Sequence, residues 1–375
     1  MRRSTHWMIT AVLVTAQLLG TLSFCYNHRT GEIYIAPWLT YYTALISVAM
    51  FGVLPMLQHI TVNKKYFHAK INFLIFLIRL TAVLVSVIFN WTKRGEYIKS
   101  LRDLYRLKIE FLKRWPLSTR LEEKFENAIR SKFCWGITSS MAAMLGSFEF
   151  FKQQLNVNNV WIIVTLGLMA NVINLVLTSY FFCILRINTL LAAINEELGG
   201  ILEKCKQLAN LRKLGFIHAG FFITKCCQFS DDVEELARFQ LRFCKLAMHI
   251  NDMYDVQGAC VLLTVYLNST SVFYAIYVSS NSQWDAQNAL KMSINGLIMF
   301  LFFMDLKVFL FTILDYKDVL AECGRLLKEQ QTCLTNLDVR LEESERLLSA
   351  IVLMAHFMDS QIFSPSSLFT EHVVP

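Results

Sequence analysis

Proline is scarce in this sequence, five in 375 residues, and only Pro55 falls inside an apolar run. That scarcity argues against the Gly- and Pro-broken helices at mid-membrane that mark secondary transporters, and no internal repeat is present to suggest one. Charge is also thin, at 17% of residues against about 25% in an ordinary soluble domain. Several catalytic signatures are missing altogether: the eight histidines form no HExxH, and no phosphate loop, GxSxG or GxGxxG occurs. The ten cysteines show no CxxC or Cys/His ligand spacing, which excludes a metal site of the usual kind and points to free buried thiols. Paired acids such as Glu122-Glu123, Asp231-Asp232, Glu234-Glu235 and Glu342-Glu343 lie on polar, helical segments and are expected to be solvated faces. Neither an enzyme nor a bound cofactor is expected.

What the chain does have is apolar length. Six runs, Trp38–Ile60, Asn72–Asn90, Phe133–Phe150, Asn159–Leu185, Val256–Ser279 and Met292–Leu314, each approach the roughly 20 residues a helix needs to cross hydrocarbon. Backbone amides in lipid must be satisfied within the segment, so runs of this kind form helices. The expected fold class is therefore all-α, a polytopic membrane helix bundle of six spans with the lipid bilayer as its solvent. A mean hydropathy of +0.41 and 29 Phe agree.

The stretch Trp7–Tyr26 follows Met-Arg-Arg but lacks a small-residue cleavage pattern, so it is not read as a signal peptide. Its placement follows from charge. The loop 91–132 carries 12 Lys or Arg against six acids, which assigns it to the cytoplasm. If 7–26 crossed fully with Arg2 and Arg3 inside, that loop would land outside; a re-entrant or interfacial element keeps both clusters inside. The opposite loops, 61–71, 151–158 and 280–291, then hold only five Lys or Arg. The net charge of +7 thus reflects topology rather than nucleic-acid binding.

The domain organisation that follows is a cytoplasmic N-terminus with the re-entrant segment over 1–37, a bundle of spans over 38–314 with cytoplasmic helical loops 91–132 and 186–255, and a cytoplasmic amphipathic helix over 315–375. Apolar residues recur at helical spacing in Arg186–Asp255 (Leu190, Ile194, Leu198, Ile201; Val233, Leu236, Phe239, Phe243) and again in Asp315–Leu348. Gly199-Gly200 and Gly215–Gly220 are expected to interrupt the first of these. The sequons at Asn90 and Asn268 read as chance matches, one cytoplasmic and one within a span.

Charges inside spans mark function in membrane proteins. Arg79 in the second run has two readings, a buried ligand or helix contact and a snorkelling side chain. Asp305 and Lys307 are expected to form a local pair or reach the inner boundary. The outward halves of the spans combine rings with small polar groups: Phe148, Trp161, Tyr266, Phe273, Tyr274 and Tyr277, beside Thr165, Asn268, Asn295 and Phe300. Rings supply dispersion and a few hydroxyls and amides fix orientation, so with Arg79 these are the candidate ligand-binding residues for a small organic molecule. An aromatic belt is the alternative.

The order of features resembles the insect gustatory receptors. The resemblance rests on Leu18-Leu-Gly20, the basic loop after the second span, Ile187-Asn-Thr-Leu-Leu-Ala-Ala-Ile-Asn-Glu-Glu-Leu198, Asn251-Asp-Met-Tyr-Asp-Val-Gln257, Met304-Asp-Leu-Lys-Val-Phe-Leu310 and Asp318-Val-Leu-Ala-Glu-Cys-Gly324, and it covers nearly the whole chain. It implies seven spans with a cytoplasmic N-terminus, assembly as a homo- or hetero-tetramer, and a cation pore gated by a small organic tastant at the outer side of the plasma membrane of a sensory neuron. The family's signature in the last span, Thr-Tyr, five apolar residues and Gln-Phe, is absent here. Leu347–Met358 is apolar for only 12 residues, so a shortened product or gene model is expected, and no pore-lining residue carries over. The alternatives are a heptahelical receptor acting through a G protein, for which neither the Asp/Glu-Arg-Tyr nor the Asn-Pro-x-x-Tyr motif is present, and a secondary transporter.

Overall fold

The computed structural model describes residues 3–27, 30–51, 67–151, 157–280 and 286–335. Among these, eight helices follow one another: α1 (Arg3–Leu18), α2 (Pro37–Phe51), α3 (Phe67–Thr92), α4 (Arg94–Arg114), α5 (Thr119–Phe151), α6 (Val157–Lys213), α7 (Ala219–Ser280) and α8 (Ala286–Thr335). The class is all-α, as hydropathy requires. The exception is a two-residue antiparallel pair, β1 (Cys25–Tyr26) with β2 (Ile33–Tyr34). Five apolar runs lie within α3, α5, α6, α7 and α8, and the first begins in α2, its remainder (52–60) lying outside the described residues. Among the described residues, Gly167–Lys213 is long and apolar enough to cross a membrane, and Leu77–Thr92 is a shorter apolar helix.

The long helices do not stop where their apolar runs do. The 57 residues of α6 extend about 85 Å at 1.5 Å per residue, against a hydrocarbon thickness of about 30 Å. Contrary to expectation, Gly199-Gly200 does not break this helix. Each mid-helix glycine costs about 0.5–1 kcal/mol relative to alanine, and the burial of Leu198, Ile201 and Leu202 around the pair outweighs it. The second expected interruption is present: the chain breaks between Lys213 and Ala219, where Gly215 takes φ +76° and the amides of Leu214, Gly215 and Phe216 bond the carbonyls of Asn210, Arg212 and Leu211.

Two compact units divide the chain. The first is drawn from the described parts of Met1–Asp103, Glu126–Cys183 and His249–Leu310, the second from those of Leu104–Phe125, Ile184–Met248 and Phe311–Pro375. In the first unit, α1 ends at a left-handed glycine, Gly20 (φ +69°), beyond which Thr21 and Leu22 both bond the Ala16 carbonyl. A Cβ at Gly20 would stand 3.0 Å from Ile46 Cγ2, so the close approach to α2 and the backbone conformation both demand glycine here. The returning chain is tied down by polar bonds. Arg94 donates to the Ser23 carbonyl (2.6 Å) and to Thr40 Oγ1 (3.2 Å), Asn90 Nδ2 donates to the Gly20 carbonyl (3.2 Å), and Tyr42 Oη donates to the Leu18 carbonyl (2.7 Å). The Asn90 sequon therefore sits in a packed junction. Leu80 and Val83 of α3 meet Met169 and Val172 of α6 beneath it, with Leu19 and Ile46 packed against them.

In the second unit, the apolar stripe read from the sequence is buried: Leu190, Ile194, Leu198, Val233, Leu236, Phe239 and Phe243 are each at most 3% exposed. Phe111 stands edge-on to Phe239 and Phe243, and Trp115 to Phe239. Two asparagines seven residues apart clamp α6 to α8, Asn188 Nδ2 on the Thr312 carbonyl (2.6 Å) and Asn195 Nδ2 on the Val319 carbonyl (2.7 Å). Equal separations on both helices mean a parallel pair held in register over two turns. Some of the paired acids are not simply solvated. Arg114 of α4 forms ion pairs with both Asp232 (2.5 Å) and Glu235 of α7, and Arg242 reaches Glu110 at 3.1 Å. Burial pushes the thiols of Cys205 and Cys323 up to about 12 and that of Cys244 to about 11, so they stay protonated and inert.

Candidate ligand site

Inside the first unit, α3, α5, α6, α7 and α8 line a partly open cavity of about 70 Å³. Each helix contributes a polar group: Arg79 from α3, Lys132 and Ser139 from α5, Asn174 from α6, Thr264 from α7 and Asp305 from α8. The volume is several times the 10–15 Å³ that holds one water, and well short of the 300–1,000 Å³ of a drug-sized pocket. A compound of a few heavy atoms is the size that fits.

Lys132 Nζ donates to both oxygens of Asp305, each at 2.8 Å, with the two side chains 1% and 10% exposed. The sequence leads to the expectation that Asp305 and Lys307 form a local pair or reach the inner boundary; Asp305 instead has an inter-helix partner in Lys132. Residues two apart on a helix point to opposite sides, so Asp305 faces the bundle where Lys132 of α5 waits. Helix packing allows the approach, since α5 carries Gly136 one turn after Lys132. There Asn174 Nδ2 donates to the Gly136 carbonyl (3.0 Å) and to Ser140 Oγ (2.9 Å). The other end of that amide, Asn174 Oδ1, is buried without a hydrogen-bond donor among the described residues. Arg79 lines the same space and has no hydrogen-bonding or ionic partner among the described residues.

From the cavity wall a train of rings leads through the unit. Phe309 meets Tyr180 (5.6 Å between centroids), Tyr180 meets Tyr254 (5.2 Å), Tyr254 meets Tyr97 (6.1 Å) and Tyr97 meets Phe24 (5.7 Å) beside the N-terminal turn. Tyr180 Oη donates to Asn251 Oδ1 at 2.5 Å. Burial holds the hydroxyls of Tyr97 and Tyr254 well above the ordinary tyrosine range, so both remain neutral.

Of the residues singled out from the sequence, Arg79 lines the cavity. Tyr266, Phe273 and Tyr277 are about two-thirds exposed (68, 64 and 65%) along α7, and Tyr274 is half-buried. The side chains of Phe148 and Trp161 lie outside the described residues. None of these four α7 rings is among the side chains that line the cavity. Sequence reasoning passed over Lys132, counted as a topology charge, and Asn174, Tyr180 and Phe309. An amide in the middle of an otherwise apolar run is the signal that could have found Asn174. Tyr254 stood in Asn251–Gln257, a segment noticed only for its resemblance. Among the described residues no cluster of His, Cys, Asp or Glu could hold a metal ion.

The first unit is thus a gathering of apolar helices round a small charged cavity. The chain belongs to the 7tm chemosensory receptor family, whose pattern it matches over residues 9–353. It is 22% identical to the Drosophila melanogaster protein named "Putative gustatory receptor 36b", across 90% of this chain and 85% of that one. It is 23% identical to "Putative gustatory receptor 36c" of the same species, across 90% and 86%. The family is one of receptors, not of enzymes.

Proposed function

We propose that the chain is a taste-receptor subunit of the ligand-gated cation-channel type, detecting a small organic tastant at the plasma membrane of a sensory neuron. It acts with six spans, a re-entrant or interfacial N-terminal segment and cytoplasmic Arg2 and Arg3, in a homo- or hetero-tetramer. The observation that carries the reading is the cavity formed by five helices and joined to the N-terminal turn by Phe309, Tyr180, Tyr254, Tyr97 and Phe24. A ligand gates only by binding one arrangement of a bundle better than another, and a site made from five helices senses their relative displacement. The rings of Tyr266, Phe273, Tyr274 and Tyr277 gain enclosure in this reading when a neighbouring subunit covers α7, and Phe148 and Trp161 stay candidate ligand contacts in it. The test is a panel of small organic compounds applied to cells expressing the chain with candidate partner subunits. Cation current in excised patches without nucleotide supports the channel reading, whereas a response that requires GTP would replace it with the G-protein-coupled one.

A further inference from the structure

Among the described residues the cavity has one positive charge too many. Lys132 is neutralised by Asp305 at 2.8 Å, and Arg79 has no counter-charge among the described residues. A cation at membrane depth is expensive unless it is paired, and this one sits where a ligand would. A second unmet requirement, the acceptor Asn174 Oδ1, lies on the same wall. The two deficits are complementary in sign and differ in kind: one calls for an anion, the other for a hydrogen-bond donor. Apolar side chains, Ile173, Leu177, Val261 and Phe302 among them, complete the lining.

We infer that this cavity binds a small carboxylate bearing a hydroxyl or amino group, a short hydroxy or amino acid, with its carboxylate on Arg79 and its donor on Asn174 Oδ1. A guanidinium presents two parallel N–H donors that match the two carboxylate oxygens, which a spherical anion cannot use equally. The volume of about 70 Å³ suits a ligand of a few heavy atoms. The inference deepens the receptor reading and rests on it for its biological sense, but binding can be measured without any channel current.

The experiment uses the whole chain in lipid nanodiscs and follows thermal unfolding with lactate, acetate, lactamide and chloride as probes at equal ionic strength. Lactate should raise the midpoint saturably, acetate should do so at least tenfold less potently for want of a donor, and lactamide and chloride should not. Arg79→Gln should abolish the lactate shift while leaving or raising the unliganded midpoint, because it removes a charge that has no counter-charge among the described residues. Arg79→Lys should retain part of the shift, and Asn174→Leu should erase the advantage of lactate over acetate. Chloride matching lactate, or an unchanged lactate shift in Arg79→Gln, overturns the proposal. An unliganded midpoint that falls sharply in Arg79→Gln assigns the arginine a structural contact and also overturns it. A tastant-evoked current that survives Arg79→Gln would leave the receptor reading standing while this one fell.

Discussion

Lys132 and Asp305 are joined by two hydrogen bonds of 2.8 Å between α5 and α8, both side chains withdrawn from solvent. They are 173 residues apart and stand on helices whose nearby segments read as ordinary apolar runs. Removing one partner strands the other, and breaking such a buried pair costs about 3–5 kcal/mol, whereas replacing both by apolar groups is close to neutral. Lys132→Met and Asp305→Leu should each sharply reduce folded protein, and the double variant should recover most of it. Fluorescence-detected size-exclusion of detergent extracts reads this directly; a double variant no better than the worse single would show that the pair is not a closed unit.

Glycine positions divide by backbone conformation. Gly20→Ala meets both an unfavourable φ and Ile46 at 3.0 Å, while Gly215→Ala meets only the φ, with nothing within 4 Å. The first should destabilise more than the second, which should cost about 1 kcal/mol. Ile46→Ala should recover part of the Gly20→Ala loss, the steric share, and none of the conformational share. Gly199→Ala, mid-helix with open space around it, should stabilise by about 0.5–1 kcal/mol. Midpoints of thermal unfolding rank the set.

Tyr180 bears two loads, ring packing against Tyr254 and Phe309 and a hydrogen bond to Asn251. Tyr180→Phe should cost about 0.5–1.5 kcal/mol, and Tyr180→Ala about 3–5 kcal/mol. If the ring train couples the cavity to the N-terminal turn, Tyr180→Ala should also weaken ligand response per folded receptor. A normal dose–response at matched surface level would confine Tyr180 to stability.

Lys108 on α4 gives a pH dependence of definite sign. Burial, with the Arg186 charge second, lowers its amine from an ordinary 10.5 to about 8. Between about pH 8 and 10.5 the unfolded chain holds this proton and the folded one does not, so Lys108 makes stability rise with pH across that window; below about 8 its penalty is constant. Lys108→Met should flatten that rise and improve stability most below pH 8, read as unfolding midpoint against pH.

The helical class and five of the apolar runs inside long helices were legible in the chain, because hydrocarbon permits a segment of such length only one way to satisfy its amides. The amphipathic stripe from Leu190 to Phe243 was legible too, its period being that of a helix with one buried face. The passage of α6 through Gly199-Gly200 was not. Local propensity disfavours it, and only the packing of Leu198, Ile201 and Leu202 reverses the balance. For the candidate site, sequence pointed to Arg79 since a charge within an apolar run announces itself, yet Lys132 at a run's edge looked like one more topology signal.

The amino-acid order alone determined that the chain must be helical and apolar enough for a membrane, and where its charge would concentrate. Those properties depend on segment length, composition and period, which are local. Tertiary structure decided that Asp305 meets Lys132 of a distant helix, that Arg79 has no counter-charge among the described residues, and that the rings of Tyr97, Tyr254 and Tyr180 meet in one train. Such pairings depend on which faces of distant helices meet, and a periodic apolar sequence leaves that open.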